Sequence, residues 1–127
     1  MEMEDIFKHM NSLKKGLTVI VPAYNSSATL KELNSRIINT CKKNIKEFEI
    51  IYVNDGSEDD TWETICSFIN LEKRTKSINL SKNFGQHNAL LCGIRKAKGS
   101  VIITMDDDLQ HPPEEIPQLF EKLNKGY

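Results

Sequence analysis

Residues Phe48–Asn70, FEIIYVNDGSEDDTWETICSFIN, change character twice within one short span. Phe48–Asn54 is an apolar run rich in Ile and Val, too continuous for a half-exposed strand and suited to one buried on both faces. The loop Asn54–Asp60 is then uniformly polar, and its Gly56 permits a tight turn at positive φ. From there Trp62, Ile65, Cys66 and Ile69 recur at helical spacing, opened by Asp60 with Glu63 three residues on. A buried strand leading through a polar loop into an amphipathic helix is the repeating unit of a parallel sheet.

The unit recurs on either side. Upstream, Leu17–Ala23 (LTVIVPA) precedes a stripe of Leu30, Leu33, Ile37, Ile38 and Cys41, with Thr29 and Glu32 spaced as a capping box. Downstream, Ser77–Leu80 precedes Ala89, Leu90, Gly93, Ile94 and Ala97, with Gly99 expected at the C′ position of that helix. Last, Val101–Met105 (VIITM) precedes Ile116, Leu119, Phe120 and Leu123, where Pro113 suits the first helical turn and Gly126 the end. The order is β-α-β-α-β-α-β-α, with strand starts about 24 to 31 residues apart, a cadence for right-handed crossovers. The expected fold is α/β, a Rossmann-like parallel sheet with helices on both faces, spanning residues 17–127. Residues 1–16 stand apart as an N-terminal extension in which Met3, Ile6, Phe7, Met10 and Leu13 would share one face of a short helix.

Composition narrows the function classes. A chain of 127 residues makes one domain and buries roughly 65–70% of its unfolded surface. Seventeen Lys and Arg against 18 Asp and Glu leave a formal net charge of −1, without the basic excess of a nucleic-acid binder. With 39% hydrophobic and 28% charged residues the chain is neither a disordered tail nor a membrane bundle. No apolar run approaches a membrane span, and the acidic start Met1–Asp5 is no secretory signal, so a cytoplasmic domain is expected. Cys41, Cys66 and Cys92 lack any C-x-x-C pairing and are expected as buried free thiols. Basic clusters at Lys42-Lys43, Lys73–Lys76 and Arg95–Lys98 fall at helix ends, where cations complement the macrodipole.

Ligands of an open parallel sheet bind outside the carboxyl ends of its strands. Four loops lie there: Pro22–Ser27 (PAYNSS), Asn54–Asp60 (NDGSEDD), Ser81–His87 (SKNFGQH) and Asp106–Pro113 (DDDLQHPP). All are dense in polar residues, Gly and Pro, whereas the opposite strand ends are not. Asp106, Asp107 and Asp108 form the sharpest feature, since adjacent carboxylates repel and the sheet does not need them. A divalent metal, Mg or Mn, would remove the conflict, and Gln110 would add an amide oxygen. The bland alternative is that one aspartate opens the next helix and the others are solvated. Asp55, presented at a strand tip, suits acceptance of a base N–H, although a lone Asp-Gly-Ser is also an ordinary turn. His87 and His111 are read as polar lining or turn residues.

The ordered series VIVPAYN, VNDGSEDDT, LSKNFGQHNALLCGI and GSVIITMDDDLQHPPEEI resembles the family 2 glycosyltransferases, with their GT-A fold and nucleotide-diphosphate sugar donors. The stretches NFGQ and DLQHPPE resemble most the polyprenyl-phosphate branch, which includes the dolichol-phosphate mannosyl synthases. The resemblance covers residues 17 to 127 and implies specific roles. Pro22, Ala23 and Tyr24 would line the nucleoside pocket with Asn25 at its edge, and Asp55 would hold the base. Asp106 and Asp108 would be the outer carboxylates of the DxD motif, with Asp107 in its variable middle and Gln110 assisting. Asn83, Phe84 and Gly85 would border the donor. Ser26, Asn54 and Asp60 depart from the common pattern of Glu, Asp and Gly.

The resemblance therefore implies a metal-dependent, inverting transfer from a UDP- or GDP-type sugar donor to a lipid phosphate. The full-length enzyme is expected at the cytoplasmic membrane face, with this chain its donor-binding, separately inactive N-terminal part. An unpaired last strand would favour self-association into a homo-oligomer. Two other readings stay open on residues alone: a non-catalytic nucleotide-sugar-binding module, and aspartate phosphotransfer. The second lacks the acidic residues such domains carry after their first strand.

Overall fold

A computed structural model of the chain describes residues 16–126; the helical face expected over Met3–Leu13 lies outside them. Strand β1 (Leu17–Ala23) leads to helix α1 (Ser27–Asn44), β2 (Phe48–Asp55) to α2 (Thr61–Leu71), and β3 (Thr75–Leu80) to α3 (Gln86–Lys96). Strand β4 (Val101–Thr104) is followed by a 3-10 turn, Pro113–Glu115, and helix α4 (Ile116–Asn124). All pairings are parallel in the order β3-β2-β1-β4, with Leu17 in register with both Phe48 and Val101. The chain steps outward from β1 to β3 and then returns to the other side of β1. This reversal opens a crevice at the carboxyl ends of β1 and β4.

Both sheet faces are covered, unequally. Val19, Val21, Ile50, Tyr52 and Ile103 pack against Leu30, Leu33 and Ile37 of α1, Ile65 and Phe68 of α2, and Ile116 of α4. Ile20, Ile51 and Val53 on the reverse face meet Ala89 of α3. Each large side chain so buried contributes roughly 1.5–3 kcal/mol. The Tyr52 hydroxyl donates to Asn34 Oδ1 at 2.8 Å, and burial pushes its pKa far above the ordinary phenol value.

Several local expectations are corrected. The strands β1 and β2 are buried throughout, but β3 is buried only at Thr75, and β4 alternates, with Ile102 and Thr104 exposed, because α3 packs mainly on β1 and β2. Strand β3 starts at Thr75 rather than Ser77, and β4 ends one residue before Met105. Thr29 and Glu32 make no capping box: Ser26 is the N-cap, Thr29 donates to Ser26 O and Asp107 O, and Glu32 pairs with Arg36. Asp60 is the N-cap of α2 as expected, but it is the Asp59 side chain that accepts the Thr61 N–H, at 3.0 Å. Helix α3 ends at Lys96, and Gly99 serves instead as a close approach, because a Cβ there would lie 2.7 Å from Thr18 N. Cys41 is buried, but Cys66 and Cys92 are half-buried; all three are free.

The amino end of the sheet carries one buried acid. Glu49 accepts from Thr18 Oγ1 at 2.7 Å, Lys76 Nζ at 2.7 Å and the Lys98 N–H at 2.6 Å. Burial alone would raise its pKa, but these three donors outweigh it and hold the carboxyl below its ordinary value.

Candidate functional site

At the carboxyl end the four loops close a ring of hydrogen bonds around a cleft of about 460 Å³. Loops one and two are joined by the Asn25 N–H to Ser57 Oγ at 3.0 Å, the Glu58 N–H to Asn25 Oδ1 at 2.9 Å, and the Ser26 N–H to Thr61 Oγ1 at 2.9 Å. Loops two and three are joined by Asp55. Its carboxylate accepts the Phe84 N–H at 2.8 Å and the Gly85 N–H at 3.1 Å. Loops three and four meet where Gln86 Nε2 donates to Asp106 Oδ1 at 3.1 Å. Loop four returns to loop one through the Tyr24 N–H to Asp107 Oδ2 at 3.0 Å and Thr29 Oγ1 to Asp107 O at 2.6 Å.

Local sequence explains how each corner is held. Gly56 sits at φ +71°, and a Cβ there would lie 2.2 Å from the Lys82 backbone, so only glycine lets loop two pass loop three. Gly85, at φ +97°, starts α3 with its N–H turned to Asp55. Leu109 adopts φ +65°, a costly conformation for a branched side chain. Its partly buried side chain packs on the main core and turns the backbone straight after the three aspartates.

The cleft gathers most of the residues read from sequence. Pro22, Ala23, Tyr24, Asp55, Asn83, Gly85, Asp106, Asp107 and Asp108 line it. Three others stand outside its lining. Asn25 is spent on stitching two loops, Phe84 is exposed beside Lys82, and exposed Gln110 donates its N–H to Asp108 Oδ1 at 3.2 Å. Gln86 lines the cleft and was not singled out from sequence. The signal was its place directly after the glycine that starts α3, opposite the aspartates. His87 lies outside the lining, and His111 borders a separate hollow between β4 and α4.

The electrostatic character is set by carboxylates without cations. Asp106, Asp107 and Asp108 each accept a neutral N–H donor, and none forms an ion pair among the described residues. Nor do three His, Cys, Asp or Glu side chains converge as a metal-ligating cluster among the described residues. Two aspartates on the wall of an open cleft instead fit a hard cation that keeps its waters and completes its shell with ligand phosphates.

Similarity to known proteins agrees with this architecture. Undecaprenyl-phosphate 4-deoxy-4-formamido-L-arabinose transferase of Pectobacterium atrosepticum is 42% identical over 114 residues, 89% of this chain and 35% of that protein. The chain thus spans about a third of the length of the curated relatives it matches. Among solved structures, the mannosyltransferase PcManGT of Pyrobaculum calidifontis, in complex with GDP-Man and Mn2+, superposes with TM-score 0.72 at 18% identity, covering 94% of this chain and 38% of its own. TarS 1-349 of S. aureus, in complex with UDP-GlcNAc, gives 0.69 at 24% identity, covering 87% and 31%. These likenesses show the GT-A fold. The family model for glycosyl transferase family 2 matches residues 18–127, nearly everything from the first strand onward, and with the four loops it carries places this chain in that family.

Proposed function

We propose that the chain is the donor-binding part of a glycosyltransferase that moves a sugar from a nucleotide-diphosphate sugar to a polyprenyl phosphate, with metal dependence and inversion. The observation that carries the reading is the single cleft at the switch point, which joins Asp55 to Asp106 and Asp108. The undecaprenyl-phosphate transferase relatives support the acceptor class.

In this reading Pro22, Ala23 and Tyr24 line the nucleoside pocket, and Asn83 and Gly85 border the donor. Asp55 receives a base N–H on the lone pairs left free by the Phe84 and Gly85 amides. Asp106 and Asp108, assisted by Gln110, would hold Mg or Mn beside the diphosphate. Bound there, the cation supplies positive charge against the leaving nucleoside diphosphate. An acceptor phosphate oxygen forms the new bond to the anomeric carbon from the face opposite the breaking carbon–oxygen bond. The electron pair departs with the diphosphate, and the anionic acceptor needs no general base. The rest of the enzyme is expected at the cytoplasmic membrane face; no described helix is long and apolar enough to cross a membrane.

Calorimetric titration with UDP and GDP, each with and without Mn2+, tests this. Binding of one nucleotide that requires Mn2+ and disappears in Asp108→Ala is the expected result. Silence from both nucleotides, repeated on a chain extended to the length of the relatives, would refute it.

A further inference from the structure

The ring around the cleft has one junction of a different kind. Every other junction includes at least one bond to a backbone group, whereas loops three and four are tied only through two side chains, Gln86 and Asp106. We propose that Gln86 is a positioning residue that aligns the Asp106 carboxylate for the divalent cation and the donor diphosphate, an inference resting on the donor-site reading above.

The backbone at Asp106 is anchored just before it, where the Met105 N–H donates to Ile20 O at 2.9 Å. That anchor alone does not set the direction of its carboxylate, which Asp107 and Asp108 just after it repel. Asp107 is held by the Tyr24 N–H and Asp108 by the Gln110 N–H. The one donor to the Asp106 side chain among the described residues is the Gln86 amide. That amide occupies Oδ1 and leaves Oδ2 available. Being neutral, it orients the carboxylate without competing with a cation, as a lysine there would.

Gln86 is itself firmly mounted. It opens α3 directly after Gly85, whose N–H is gripped by buried Asp55 and whose carbonyl accepts the Ala89 N–H at 3.0 Å. Farther along, Gly93 lets α3 approach the sheet so closely that a Cβ would lie 2.6 Å from Ile20. The amide therefore projects from a fixed helix start, and its own side chain is exposed, so its replacement leaves the core untouched.

The test measures the apparent Mn2+ dissociation constant by electron paramagnetic resonance, with UDP and separately GDP present. It compares the unaltered chain, Gln86→Leu and Asp106→Asn, together with metal-free thermal midpoints. Expected is an apparent Kd raised about tenfold or more in Gln86→Leu, as for lost partners of metal ligands, with the metal-free midpoint unmoved. An unchanged Kd, or one that rises together with a fallen midpoint, overturns the positioning role, while a loss in Asp106→Asn keeps the donor-site reading. If Asp106→Asn binds Mn2+ as the unaltered chain does, or if neither binds it even on a chain extended to the length of the relatives, the donor-site reading fails and this inference with it.

Discussion

The two ends of the sheet treat their acids in opposite ways. At the amino end, buried Glu49 has a hydroxyl, an ammonium and a backbone N–H, and its oxygens have no unmet demand. At the carboxyl end, three successive aspartates line an open cleft and share only neutral donors. A carboxylate matched inside the chain serves the fold, because its desolvation is offset there. Carboxylates left together beside a cleft are matched only when something else binds. The same residue chemistry is thus matched within the fold at one end and left open to a ligand at the other.

The contrast breaks most sharply at Asp108. Asp108→Ala should weaken Mn2+-dependent nucleotide binding about 100-fold or more, roughly 2.7 kcal/mol, while the thermal midpoint holds. A midpoint that falls as far as in a Glu49 variant would erase the distinction. Glu49→Ala should do the reverse, lowering stability by about 2 kcal/mol in chemical denaturation and leaving nucleotide binding of the folded chain intact.

Asp55 stands between the two cases, buried like Glu49 yet part of the cleft. Asp55→Asn turns one acceptor into a donor facing a backbone N–H, at a cost of about 1–2 kcal/mol. Hydrogen exchange at the Phe84 and Gly85 amides should quicken, and nucleotide affinity should fall as well. If only one of the two changes, Asp55 belongs to one class and not both.

Acid sharpens the comparison further. The Arg74 side chain holds the Glu72 carboxyl down at about 2, and Glu49 also titrates below its ordinary value. Unfolded glutamates protonate near about 4.3, so the unfolded state takes up protons first as pH falls. Stability from these acids is full above that value and is lost between about pH 4 and pH 2, which denaturation at stepped pH would show. The smallest effect is expected at Arg36, half-buried between Glu32 and Glu114 on the surface. Arg36→Ala should leave the thermal midpoint nearly unmoved, and a clear fall would mean that these surface contacts anchor the turn before α4.

Much of this is legible in the sequence alone. The strands, their polar loops and the helices that follow each carry their own local signal, because continuous apolar runs and helical spacing need no partner to be recognised. The crowding of Asp106–Asp108 was likewise visible, since like charges at adjacent positions conflict in any fold. Less legible were the caps. Thr29 and Glu32 have the spacing of a capping box, but Asp107 O lies within reach of the Thr29 hydroxyl and takes it. Gly99 looked like a helix terminator and proved to be a contact with β1. The alternation of β4 depended on how far α3 extends across the sheet, a fact no window of sequence contains.

By itself, then, the order of apolar runs and polar loops determined a parallel α/β sheet and the end at which its polar loops gather around a cleft. It did so because those signals are periodic and local, and right-handed crossovers leave few ways to assemble them. Only the tertiary structure decided which polar groups meet: Asp55 with the Phe84 and Gly85 amides, Asp107 with the Tyr24 N–H, and Gln86 with Asp106. Those bonds span 20 to 83 residues of chain, and hydrogen bonds reach only about 3 Å. Such partners are therefore set by where the strands stop and the helices start, and not by the residues on either side.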